Sequence, residues 1–146
     1  MKKRIDYIGV GVGAVIFNSR GQVFMSLRGP KSRNEADKWE FPGGGVEFGE
    51  KLEDAIVREM REEFGITIGD LELLCVNDHL IPAEKQHWVS PAFISKITNG
   101  EPKILEAGKH RKIGWFNLKD LDSMPLSLVT SSSLEHLKKK YPEKFK

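Results

Sequence analysis

The sequence predicts an α+β fold, a mixed β-sheet flanked by helices. Two observations carry this. Six short segments rich in β-branched and aromatic residues are bounded by turn residues. Two longer segments without internal proline, one central and one terminal, have helical composition. Strands interleaved with such helices bury their apolar faces by packing helix against sheet. At 146 residues the chain is expected to be one domain over 1–146.

The first strand candidate, 8–17, leads through the turn Asn18-Ser19-Arg20-Gly21 into a second, 23–28, and the pair reads as a β-hairpin. Lys2-Lys3-Arg4 ahead of an apolar run has the outline of a signal peptide, but the glycines of that run and the turn after it favour the hairpin. A cytoplasmic protein is therefore expected. Residues 30–38 are polar and read as a loop, and 39–41 as a third strand. Gly43-Gly44-Gly45 after Pro42 forms a flexible stretch whose backbone can approach a ligand closely. Residues 50–64 contain good helix formers, with Gly65 at the stop position. Strands are expected at 71–77, 88–97 and 112–116, a loop at 81–86, a short helical turn at 118–121 and a terminal helix at 127–141. Lys138-Lys139-Lys140 lies at that helix's end, where cations suit the dipole.

Composition narrows the function. The chain is 39% hydrophobic and 30% charged with net charge +2, too balanced for a protein that coats nucleic acid. Its single cysteine, Cys75, excludes an internal disulfide or a cysteine zinc cage; within Leu73-Leu74-Cys75-Val76 it reads as a buried, inert thiol. No stretch is long and apolar enough to span a membrane.

The central helix breaks a local rule. At about 100° per residue, Leu52, Ala55, Ile56, Met60 and Phe64 form an apolar sector, with Lys51, Asp54, Arg58 and Arg61 opposite. Glu59 and Glu63, one turn apart, point into the apolar sector, and Glu62 lies at its edge. Like charges at this spacing cost a helix about 0.2–0.5 kcal/mol, and inward carboxylates cost more unless paired or bound to metal. A solvated acidic face with ion pairs to Arg58 and Arg61 is the alternative. The glycine stretch, Glu50 and Arg58 in register with the acids favour a hard divalent cation, which takes oxygen ligands from carboxylates and phosphates.

Gly44, Glu50 and Arg58-Glu59-Met60-Arg61-Glu62-Glu63-Phe64-Gly65-Ile66, at this spacing, resemble the 44–66 signature of the Nudix hydrolases, which cut a pyrophosphate bond in nucleoside diphosphates linked to another group. The resemblance implies an α/β/α sandwich with a mixed β-sheet, the signature forming a loop–helix–loop at its edge. It also implies that Glu59, Glu62 and Glu63 bind Mg²⁺ or Mn²⁺ with a backbone carbonyl from Gly43 or Gly44, and that Arg58 orients the catalytic glutamates. The residue matching Glu50 is structural or serves as a base. Val12-Gly13-Ala14-Val15, Trp39-x-Phe41-Pro42-Gly43-Gly44 and Val46-Glu47-Phe48-Gly49-Glu50 resemble the MutT-like branch, which acts on nucleoside triphosphates. Val76-Asn77-Asp78 with His87-Trp88-Val89 resembles the nucleotide diphosphatase associated with thiopurine metabolism, and Leu105-Glu106-x-x-Lys109 followed by Trp115 continues that similarity. It marks Glu106 as a further catalytic acid, while Gly108 and Arg111 stand where relatives often carry glutamates.

Arg28, ending the second strand, is a candidate phosphate contact because a guanidinium grips phosphate oxygens bidentately, and Lys31 could assist it. Trp39, His79, His87 and Trp88 could form a base-stacking wall, or could serve packing alone. The expected activity is Mg²⁺-dependent hydrolysis of a nucleoside triphosphate to monophosphate and pyrophosphate, a nucleotide-pool housekeeping role. The alternatives are another nucleoside diphosphate derivative, such as a nucleotide sugar or dinucleoside polyphosphate, or a nucleotide-binding module without turnover. The expected partner is a small nucleotide, with no nucleic-acid polymer and no membrane; the resemblance also makes a homodimer plausible.

Overall fold

Side chains alternate across the first two strands, β1 (Gly9–Ile16) and β2 (Val23–Arg28), and this alternation sets the layers. Val12, Ala14, Ile16 and Phe24 enter one apolar cluster; Val15, Val23 and Met25 enter a second on the opposite side. The central helix α1 (Leu52–Phe64) buries Ala55, Ile56, Met60 and Phe64 in the first cluster. The terminal helix α2 (Leu128–Lys140) buries Leu134 and Leu137 in the second. The result is the helix–sheet–helix sandwich expected of the sequence. The computed structural model describes residues 7–32 and 35–146; the Lys2-Lys3-Arg4 segment and two positions of the 30–38 loop lie outside them.

Five more strands complete the sheets among the described residues: β3 (Trp39–Glu40), β4 (Gly43–Gly45), β5 (Thr67–Ile81), β6 (Gln86–Asn99) and β7 (His110–Phe116). They form a four-stranded sheet in the order β4-β1-β6-β5 and a three-stranded sheet in the order β3-β2-β7. Within the first, β1 and β6 run parallel, while β4 pairs antiparallel with β1 and β5 antiparallel with β6. The second is antiparallel throughout.

Several elements differ from the sequence reading. β1 and β2 do not form a hairpin: both edges of β1 are taken by β4 and β6, and only the bridge Phe17–Val23 joins the two strands before they diverge into separate sheets. The glycine stretch is the ordered strand β4 rather than a flexible loop, with Val12 opposite Gly44 and Gly13 opposite Gly43. β5 runs well beyond 71–77 in both directions. A bulge between Gly69 and Glu72, with Asp70 at φ 54°, absorbs the residues that read as a turn. The 81–86 loop shrinks to one 3-10 turn at Pro82–Glu84.

The helices start later than composition suggests. Lys51 caps α1 through its backbone position alone, and Leu52, assigned to the apolar sector, is 38% exposed because it sits in the first turn beyond the core. Gly65 ends α1 in the left-handed region at φ 69°, donating its N–H to the Arg61 carbonyl. Ser127 caps α2, accepting from the Thr130 N–H, and its own N–H bonds the Trp39 carbonyl. The N-terminus of α2 is thereby fixed to β3. Among the described residues no helix is long and apolar enough to cross a membrane.

Phe64 joins α1 to the sheets, with its ring edge-on to Phe24 at 5.1 Å and tilted over His110 at 4.7 Å. Phe64→Ala should cost about 3–5 kcal/mol through lost contact and a cavity, read as a lower midpoint of urea unfolding at unchanged slope.

Candidate active site

The glycine strand and α1 approach each other more closely than any other residue type permits. A β-carbon at Gly44 would overlap the Glu59 carboxylate, and one at Gly43 would overlap the Val12 carbonyl. Glu59 therefore lies directly against the β4 backbone. Arg58, read as outward-facing, turns back to hold this contact. Its Nε and Nη2 grip both oxygens of Glu50 at 2.7 and 3.0 Å. Nη2 also donates to the Gly45 carbonyl at 2.9 Å, and Nη1 donates to Glu59 at 3.0 Å and Glu62 at 3.2 Å. Hydrogen bonds from Arg58 and the Glu47 N–H hold the Glu50 carboxyl down at about 2, and Glu50 in turn raises the Arg58 guanidinium above its ordinary range.

Glu59 and Glu63 line a cavity of about 510 Å³. Burial, and then the neighbouring Glu63 carboxylate, push Glu59 up to about 7 against the pull of Arg58. Glu63 is 4% exposed. Its Oε1 meets His110 Nε2 at 2.9 Å, whereas Oε2 is buried with no partner. A bare, buried carboxylate oxygen beside a second carboxylate is an energetic debt that a cation would settle. Among the described residues no three acidic, histidine or cysteine side chains form a ready cage. The buried Glu59–Glu63 pair suits Mg²⁺, which is commonly held by one or two carboxylates and completed by water and substrate phosphates. The residues present fit such an ion.

Cationic groups ring this end. Arg28 lines the cavity and donates to Glu40 at 2.7 Å; burial raises the Glu40 carboxyl despite that partner. Lys109 also lines the cavity, its ammonium 2.9 Å from Glu106, which raises it together with the charges of Glu63 and Glu59. Lys31 lines it from the loop, filling the space that a side chain at Gly108 would occupy.

Hydroxyl groups also line the cavity: Ser127, the N-cap of α2, Thr130 and Ser133 from the helix, and Ser90 from β6. Asn77 braces this wall, donating to Ser133 Oγ at 2.9 Å and accepting from Ser132 Oγ at 2.7 Å. Glu35 reaches in from the loop, accepts the Leu128 N–H at 2.9 Å and lies 3.3 Å from His79 Nε2. Burial opposes ionisation of Glu35, but His79 and the Leu128 N–H together keep its carboxyl below the ordinary range. Cys75 is buried beneath, bonded to Asn77 and Ser133, with burial raising its thiol.

Of the residues singled out from sequence, Arg28, Gly43, Gly44, Glu59 and Glu63 meet at the cavity, joined by Lys31, His79 and Trp88. The others stand elsewhere. Arg58 works from behind Glu59, and Glu62 is exposed on its far side. Glu106 lies behind Lys109. Trp39 packs edge-on against Phe116 at 5.0 Å in the second cluster, so its ring is core rather than stacking wall. His87 sits half-exposed near Asp78, on the strand face opposite to its neighbour Trp88. Arg111 pairs with Asp37 at the surface. Glu35, Glu40, His110 and the α2 hydroxyls were not identified from sequence; none belongs to a local motif.

Comparison with known proteins places this arrangement. The protein resembles the MutT NUDIX hydrolase from Burkholderia pseudomallei, with a TM-score of 0.83 and 39% identity over 90% of this chain and 98% of that one. It is 31% identical to the RNA pyrophosphohydrolase of Vibrio vulnificus over 131 residues, 89% of this chain and 67% of that relative. With the RNA pyrophosphohydrolase of Aliivibrio fischeri it shares 34% identity over 108 residues, covering 74% of this chain and 55% of the relative. The chain thus spans between 55% and 67% of these relatives' length. Residues 8–137 match the NUDIX domain, and the chain belongs to that family as a hydrolase acting on phosphoric anhydrides.

Proposed function

We propose that the protein hydrolyses a nucleoside triphosphate to the monophosphate and pyrophosphate in an Mg²⁺-dependent reaction. The observation that carries this reading is the buried pair Glu59–Glu63 under the glycine strand, with one carboxylate oxygen unpartnered, at the cationic end of a cavity sized for one nucleotide. The likeness to a MutT hydrolase of nearly the same length supports it.

Glu59 and Glu63, with the Gly44 backbone, would hold the ion, which supplies charge neutralisation for the phosphates and acidifies water. Arg28 and Lys109 bind phosphate oxygens, and the close backbone of β4 allows the phosphates to lie against it. The hydroxyl wall of α2, with His79 and Trp88, receives the nucleoside. Glu106 pairs with the cavity-lining Lys109; drawn toward phosphate, Lys109 would free the Glu106 carboxylate as an acceptor for the proton of the attacking water.

The relatives named RNA pyrophosphohydrolase motivate a second reading, in which the triphosphate belongs to the end of an RNA chain. The deciding experiment is a panel of nucleoside triphosphates, nucleotide sugars, dinucleoside polyphosphates and a 5′-triphosphorylated oligoribonucleotide, with products separated. Release of pyrophosphate and monophosphate from a free triphosphate, lost by at least about 100-fold in Glu59→Gln, is expected. Turnover of the RNA alone would replace this substrate class, and turnover of sugar or dinucleoside substrates alone would do the same.

Two structural consequences are testable on the same material. Gly44→Ala displaces the Glu59 carboxylate, and a shift of about 1 Å at a reacting centre costs about 100-fold in rate; kcat should fall while circular dichroism stays that of the wild type. Glu50, with its carboxyl lowered from 4.5 to about 2 in the folded state, stabilises the fold above pH 4.5 and loses that contribution as pH falls toward 2. Glu50→Gln should therefore be less stable than wild type at neutral pH. The gap in urea midpoints should close across that acid window.

A further inference from the structure

We propose that His110, held by Ser26, is a positioning residue that fixes the Glu63 carboxylate for a divalent cation; the inference rests on reading Glu63 as a ligand of that ion. Three side chains form a continuous buried line. Ser26 is fully buried, and His110 and Glu63 are each 4% exposed. Ser26 Oγ meets His110 Nδ1 at 2.7 Å, and His110 Nε2 meets Glu63 Oε1 at 2.9 Å.

The direction of these bonds follows from chemistry. An ionised carboxylate only accepts, so the hydrogen resides on Nε2. In the neutral ring Nδ1 is then the acceptor, and the Ser26 hydroxyl donates to it. The carboxylate thus selects the tautomer that donates to it, and the Ser26 hydroxyl, able to donate or accept, supports that tautomer by donating to Nδ1. The ring cannot swing away, because Phe64 lies against it at 4.7 Å.

A core histidine needs only two partners, which backbone groups commonly supply. This one instead takes one oxygen of a buried carboxylate and leaves the other, Oε2, buried without a hydrogen-bond partner, on a side chain that lines the cavity with Glu59. The effect is to pin Glu63 in one rotamer with a single oxygen offered to a ligand. Bonds of this kind behind a metal-binding carboxylate commonly govern affinity by about 10–100-fold.

The test measures Mn²⁺ binding to the whole protein by calorimetry, with unfolding of each metal-free variant confirming its fold. His110→Phe keeps the ring packing and removes the bond; it should weaken Mn²⁺ by about 10–100-fold. His110→Gln, whose amide donates from the place of Nε2, should restore most of that affinity. Ser26→Ala should weaken binding by a smaller factor and carries the test if His110→Phe does not fold. In a Glu63→Gln background, His110→Phe should have no further effect, because the histidine acts only through that carboxylate. Unchanged affinity in both His110→Phe and Ser26→Ala, or equal losses with and without Glu63, would overturn the inference while leaving Glu63 a ligand. Wild-type affinity in Glu63→Gln would overturn the ligand assignment and the inference with it.

Discussion

Arg58 joins three parts of the chain through one side chain. Glu50 from the loop before α1, the Gly45 carbonyl from β4 and Glu59 from the helix itself all accept from one planar guanidinium. Five donors in a fixed fork can satisfy such a set, and a lysine could not hold both oxygens of Glu50 while reaching the other two. The clamp matters because α1 and β4 meet at glycine distance. Without it, two neighbouring carboxylates would repel the helix from the strand, and the floor of the cavity would open.

The charges around the cavity are not equivalent. Glu40 has Arg28, and Glu35 has His79 and a helix N–H. Their carboxylates are compensated, so they shape the site without needing a ligand. Glu59 shares Arg58 with Glu50 and Glu62, and Glu63 has one histidine for two oxygens. Among these acids the Glu59–Glu63 pair alone combines a shared counter-charge with an oxygen that has no partner, and stability is given up where the chemistry requires an incoming cation. The raised Glu59 carboxyl and the bare Glu63 Oε2 are two expressions of that single imbalance.

How much of this was legible in the sequence follows from the distance over which each feature is specified. The acid pair was readable because helical geometry alone turns Glu59 and Glu63 inward, and Gly44, Glu50 and Arg58 sit within the same short span. The helices and most strands were readable for the same local reason. The hairpin reading of β1 and β2 failed because pairing is decided by which strands compete for an edge, and β6 arrives from far along the chain. The Ser26–His110–Glu63 line joins positions 84 and 47 residues apart, so no local pattern could contain it. Trp39 was misplaced by a different cause. A large ring on a two-residue strand could face either side, and the second cluster claimed it.

The two sides of the cavity are built from different interactions, and this divides their roles. The acidic side is fixed by charge-assisted bonds that are short and directional, and its glycines admit no side chain. Change there disturbs several partners at once. The α2 side is made of neutral hydroxyls tied to their neighbours, Thr130 Oγ1 accepting from the Phe41 N–H and the Ser127 hydroxyl and Ser133 Oγ accepting from Asn77. Its other braces are Glu35, whose carboxylate is tied to the start of α2, and Asn77, whose amide is saturated by Ser90, Ser132 and Ser133. The bond to be cut is therefore governed by the part of the site that the helix and β4 specify together. The group carried beyond it meets a wall that changes in serine, threonine and histidine could reshape without disturbing Arg58 or the acids it holds.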